Sequence, residues 1–125
     1  MKLKTIYIIV LVFASSLVYS QANLKNQSGL LQHVIMIKWA DNADRTTINE
    51  VLTIFQNLPD KIEGFESLDV HEVVQSSGEF EIVIVMQFTS QEALDQYQVH
   101  PDHSRIKDIG TPLLSNFAEV DYWED

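Results

Sequence analysis

Residues 30–39 (Leu-Leu-Gln-His-Val-Ile-Met-Ile-Lys-Trp) begin with a β-branched, apolar run in which both alternating rows carry hydrophobic side chains. Successive side chains of a strand point to opposite faces, so a strand apolar on both must be covered on both. After a turn at 41–45, Ile48, Val51, Leu52, Phe55 and Leu58 recur at helical spacing and predict one amphipathic helix, closed off by Pro59 and Gly64. Thr47 and Glu50 stand at capping-box positions, which puts the expected cap of that helix at Thr47. Residues 65–74 predict a second strand, with Leu68, Val70 and Val74 in one row and Ser67, Asp69 and His71 in the other. Ser76-Ser77-Gly78 is turn chemistry, and 80–89 is a third strand, apolar at nearly every position, that pairs with the second as an antiparallel hairpin. Ser90 is an N-cap candidate, with Glu92 in the first turn, for a helix that places Ala93, Leu94 and Tyr97 on one face. That helix ends at Val99, because the residue before Pro101 is driven out of the α region. Pro101 suits the first position of a short further helix, capped near His100 and running toward Ile109 before Gly110. Residues 111–116 read as a loop or a last helical turn, and 117–123 as a closing strand with Ala118, Val120 and Tyr122 on one side.

Strand, helix, strand, strand, helix, strand is the ferredoxin-like α+β arrangement, a four-stranded antiparallel sheet with helices on one face. The other face would stand open to water, yet the first and third strands are apolar on both sides. An exposed apolar sheet marks an interface, and two such sheets packed together in a homodimer, forming an α/β barrel, resolve the conflict.

The first twenty residues belong to a different kind of pattern. Lys2 and Lys4 precede an apolar run of about a dozen residues, and Val18-Tyr19-Ser20 supplies small-residue cleavage chemistry, as in a secretory signal peptide. The run is short of the roughly twenty apolar residues a membrane-spanning helix needs, and polar residues follow it; an uncleaved N-terminal anchor is the alternative. The expected organisation is a signal peptide at 1–20, a polar leader at 21–29 and one domain at 30–125. Export without a single cysteine fits a bacterial periplasmic or secreted protein. Without Lys2 and Lys4, six basic side chains face eighteen acidic ones, and the net charge falls from −10 to −12. Such a surface repels phosphate backbones and anionic headgroups, which argues against nucleic acid and, once the signal is removed, against membranes as partners.

The landmarks also resemble, in order, the pattern of the stress-responsive α/β-barrel (Dabb) family: His33-Val34 opening the first strand, Leu58-Pro59-Asp60-Lys61-Ile62-Glu63-Gly64 after the first helix, Glu92-Ala93-Leu94 and Tyr97 in the second, and His100-Pro101-Asp102-His103 beyond it. The resemblance runs from about Leu31 to Tyr122 and implies a dimeric α/β barrel. Plant polyketide cyclases of that family close an aromatic ring by intramolecular aldol condensation with a tyrosine and a histidine in an apolar cavity. Carried over to this chain, the pair falls on Tyr97 and His103, and His33 matches a third cavity residue. A neutral histidine can take the proton that makes an enolate, and a protonated tyrosine can hydrogen-bond the developing oxyanion.

Other roles are open to the same residues. Tyr97 shares a helix face with Ala93 and Leu94, as a core aromatic would; His100 suits a helix cap; His33 suits a satisfied strand histidine; Trp39 and Trp123 sit at strand ends, where they rim a cavity or cover a seam. A metal site from His100, His103 and His33 or His71 lacks helical i, i+4 spacing, and neither a metal nor a cofactor is expected. Two functions follow: a homodimeric module whose apolar pocket, with His33, His100 and Trp39 among its residues, binds a small molecule or a protein partner; or a cofactor-independent enzyme acting through Tyr97 and His103. The enzyme requires an open space between sheet and helices that both side chains reach.

Overall fold

The computed structural model describes residues 29–125, of which Leu30–Glu124 form one unit. The expected signal peptide, and the polar leader apart from Gly29, lie outside the described residues. The elements run β1 (Leu31–Trp39), α1 (Arg45–Asn57), a 3₁₀ turn at Pro59–Lys61, β2 (Phe65–Glu72), β3 (Ile82–Phe88), α2 (Gln91–Val99), α3 (Pro101–Gly110), a second 3₁₀ turn at Thr111–Leu113 and β4 (Leu114–Trp123). The strands form one antiparallel sheet in the order β2-β3-β1-β4, the ferredoxin-like topology. Among the described residues no helix is long and apolar enough to cross a membrane.

Register sorts the two faces of the sheet. Leu31, Ile35, Ile37 and Trp39 of β1, with Ile84, Met86 and Phe88 of β3, point toward the helices and are buried. The opposite face aligns Val34 and Met36 with Val85 and Val83 on one side and with Val120 and Ala118 on the other, and Tyr122 extends the row. Val120 and Tyr122 are each 49% exposed, so the face turned away from the helices is an uncovered apolar surface, as the doubly apolar strands predict.

Element boundaries differ from expectation where side chains compete for backbone groups. Helix α1 is capped by Asp44 rather than Thr47: the Thr47 amide donates to Asp44 Oδ2 at 3.0 Å and its hydroxyl to the same oxygen at 2.8 Å, so the helix begins at Arg45. Glu50, freed from the capping box, pairs with Arg105 at 2.6 Å. The buried stripe of α1 is Val51, Ile54 and Phe55, continued by Leu58, while Leu52 is only partly covered. The third strand starts two residues late, because Ser76 Oγ accepts the Gly78 and Phe80 amides and Glu79 takes a left-handed backbone with φ 56°. Strand β2 stops at Glu72 and leaves Val74 fully exposed, outside the row assigned to it. Strand β4 starts at Leu114, three residues early, where a register shift at Lys38/Trp39 extends its pairing.

Beneath the helices the sheet has two unequal halves. Over β2 and β3, helices α1 and α2 close down on Phe65, Phe88, Met86, Leu58 and Leu94. Gly64, at φ +83°, turns the chain there; a Cβ would lie 2.7 Å from Thr89 Oγ1 and 2.8 Å from Ala93 Cβ. Helix α3 packs chiefly on α1, and under it the β1/β4 half is left open.

Candidate functional site

That opening is a cavity of about 620 Å³ between β1 and β4 on the sheet side and α1, α2 and α3 on the helix side. Its walls are largely hydrocarbon and ring: Ile35, Ile37 and Trp39 from β1, Val51 and Phe55 from α1, Ile106 from α3, and Phe117 from β4. The polar groups are few: His33 from β1, Tyr97 and Gln98 from α2, His103 and Lys107 from α3 and Glu119 from β4, with Thr111 from the second 3₁₀ turn. A mostly apolar concavity with a few convergent polar groups is the form that small-molecule sites take.

Tyr97 reaches the cavity from the inward face of α2 and is 1% exposed. Its ring meets Phe65 edge-on with centroids 5.7 Å apart, Phe88 at 5.5 Å, His33 at 5.7 Å and His103 at 4.4 Å. It is therefore both a core aromatic and part of the cavity wall. Burial pushes the Tyr97 phenol far above its ordinary value, and the Glu119 and Asp121 carboxylates push it the same way, so the hydroxyl keeps its proton.

Pro101 breaks the chain between α2 and α3 and so folds His103, on the first turn of α3, back over Tyr97. His103 Nδ1 lies 3.0 Å from the Gln98 carbonyl oxygen, which can only accept; Nδ1 carries the hydrogen and Nε2 the lone pair. Burial lowers the His103 pKa and Lys107 and His33 lower it further, against the Gln98 hydrogen bond and Glu119, so the imidazole is neutral at neutral pH. A neutral base and a protonated phenol thus stand ring to ring.

His33 is 4% exposed, and its Nδ1 donates to Asp121 Oδ1 across the β1/β4 register. Of the residues singled out in the sequence, His33, Trp39, Tyr97 and His103 line the same cavity, and His100 does not. His100 Nδ1 accepts the Asp102 amide at 3.0 Å as the cap of α3, and the ring borders a separate surface hollow beside Gly64 and Thr89. His71 pairs in register with Val83, on the face turned away from the cavity. Among the described residues no three His, Cys, Asp or Glu side chains are grouped to hold a metal ion.

Two carboxylates escaped the sequence reading. Phe117, Glu119 and Asp121 oppose Ile37, Ile35 and His33, so the second row of β4 faces the helices. Their spacing of two along a strand was the available signal, masked by the more apolar row of Ala118, Val120 and Tyr122.

The stress responsive A/B barrel domain (Dabb) model matches residues 31–124. The chain is 28% identical over 102 residues to a stress-response A/B barrel domain-containing protein of Arabidopsis thaliana, an alignment covering 79% of this chain and 38% of that protein. The chain thus spans well under half the length of the curated relative it matches. The fold is similar to hydroxynitrile lyase from Passiflora edulis (TM-score 0.70, 10% identity, 78% of this chain and 95% of that one). It is similar also to a dimeric ferredoxin-like protein of unknown function from Jannaschia sp. CCS1 (TM-score 0.69, 24% identity, 77% and 100%). A Dabb family protein with a ferredoxin-like fold from Mesorhizobium loti aligns with TM-score 0.65 at 20% identity, over 78% and 98%. With the family model spanning the sheet, the helices and every residue of the cavity, the chain belongs to the stress responsive A/B barrel (Dabb) family.

Proposed function

We propose that this protein is an exported, homodimeric binding module that holds a small, largely apolar molecule between its sheet and its helices. The observation that carries the reading is the 620 Å³ cavity, hydrocarbon-walled and furnished with polar groups from four elements. The homodimer is supported by the uncovered apolar row of Val34, Val85, Val120 and Tyr122 and by the dimeric state named for the Jannaschia structure. Export rests on the N-terminal charge and hydropathy pattern alone.

An NMR titration with 2-naphthol as a probe tests the pocket. Saturable amide shifts clustered on His33, Tyr97, His103 and Phe117 are expected; shifts absent or scattered over the surface refute the reading. In the same preparation, sedimentation velocity should give a dimer at micromolar concentration and a monomer for the Val34→Asp/Val120→Asp variant.

A second reading is favoured by one specific arrangement, the neutral His103 ring, with its lone pair at Nε2, 4.4 Å from the ring of the protonated Tyr97 phenol. His103 would take a proton from the carbon next to a ligand carbonyl, and the electron pair would move onto the carbonyl oxygen, hydrogen-bonded by Tyr97. The enolate carbon would bond to a second carbonyl carbon, and His103 would return its proton to the new alkoxide. Incubation with a linear diketone able to close a six-membered ring tests this: turnover lost in both His103→Asn and Tyr97→Phe supports it, and turnover equal in either variant rejects it.

A further inference from the structure

The row of a strand that faces helices is ordinarily apolar, but in β4, over which the helices do not close, that row reads Phe117, Glu119, Asp121, all three exposed. Asp121 is engaged by His33. Glu119 is different. It stands directly opposite Ile35, which is 3% exposed, yet none of the ion pairs formed among the described residues includes it. Glu119 itself is exposed to solvent while lining the cavity, so its carboxylate oxygens can accept from water or from whatever enters. Its field extends over the site: it lifts the Tyr97 phenol and draws His103 upward against burial.

The one fixed positive charge in the lining is that of Lys107. His103 is neutral, and Lys107, whose charge reaches His103, is exposed on α3 and forms no ion pair with Glu119. Tyr97, Phe117 and Trp39 line the same space, and aromatic faces attract cations. We propose that the pocket selects a small aromatic ligand bearing a protonated amine, its nitrogen against Glu119 and its ring against the apolar wall, and that it disfavours the matched carboxylate. This rests on the pocket-binding reading above and assigns Glu119 as the residue that sets specificity.

Three probes of one shape separate the two ideas: phenethyl alcohol, phenethylamine and phenylpropionate, titrated calorimetrically into the protein. The alcohol should bind, the amine about tenfold more tightly, the equivalent of one charge-assisted hydrogen bond, and the carboxylate more weakly than either. Glu119→Gln should bring the amine to within about threefold of the alcohol while the alcohol's own affinity holds. Added salt should erode the amine preference in the unaltered protein, which checks the charge without any substitution. Failure of the alcohol to bind overturns the pocket reading together with this one. Binding of the alcohol with no amine preference, or a preference unchanged by Glu119→Gln or by salt, overturns the role of Glu119 alone.

Discussion

The two halves of the space beneath the helices are built from the same sheet and filled in opposite ways. Over β2 and β3, the tilted rings of Phe65 and Phe88 meet with centroids 4.3 Å apart, and Leu58, Met86 and Phe88 are 0% exposed. Over β1 and β4, Ile35, Ile37 and Trp39 are buried just as core residues are, but β4 answers them with Phe117, Glu119 and Asp121 and α3 does not close the gap. Close packing is what a sheet and helices reach when both contribute apolar rows; a cavity persists where one strand contributes charge. One half therefore carries the stability that allows the other to stay open.

Truncation gives the largest expected contrast. Phe88→Ala removes a fully buried ring from the packed half and should cost about 3–5 kcal/mol by denaturant unfolding. A loss under about 1 kcal/mol would show that the packed half is as loose as the open one. Gly64 in the packed half and Gly110 beside the open one offer a gentler comparison. Gly64→Ala forces a side chain into the left-handed region and against Thr89 and Ala93, for a loss of about 1–3 kcal/mol. Gly110→Ala should be neutral or stabilising by up to about 1 kcal/mol, because its backbone is helical and the new methyl would meet Val51 at an ordinary 3.6 Å. Equal losses at both positions would erase the distinction.

The smallest effect is one of pH. Burial holds the His103 pKa below its ordinary value, so the unfolded chain binds that proton more readily than the folded one. The stability His103 contributes is fully present above the unfolded value of about 6.5 and is lost as the pH falls from there through the lower folded pKa. His103→Asn keeps a donor for the Gln98 carbonyl and should flatten the acid side of a stability-against-pH curve relative to the unaltered protein. Parallel curves would mean that the imidazole titrates as freely in the cavity as in water.

The packed half was legible in the sequence and the open half only in part. Alternation in 30–39 and 80–89, the α1 stripe and the Ser90 and His100 caps are local signals, and they locate β1, β3 and the three helices to within a few residues, along with the uncovered apolar face. The resemblance brought Tyr97, His103 and His33 together, and they do meet, at 4.4 and 5.7 Å from the Tyr97 ring. What no window of sequence contains is which partner a polar group will find. Asp44 took the Thr47 amide, Arg105 took Glu50 and Asp121 took His33, the last two across 55 and 88 residues of chain. His100 and His103 sit three residues apart, and only the turn at Pro101 decides that one caps a helix while the other overlooks the cavity.

Strand β4 interleaves two inventories, one residue apart. Phe117, Glu119 and Asp121 face inward, and Ala118, Val120 and Tyr122 face outward, so a single inserted or deleted residue near Asn116 would exchange them wholesale. Carboxylates would then land on the outward apolar row, and valine and tyrosine would move in beneath the helices. Drift in the length of this one edge strand thus couples what the molecule can enclose to what it can adhere to, and neither property can be retuned by indels without disturbing the other.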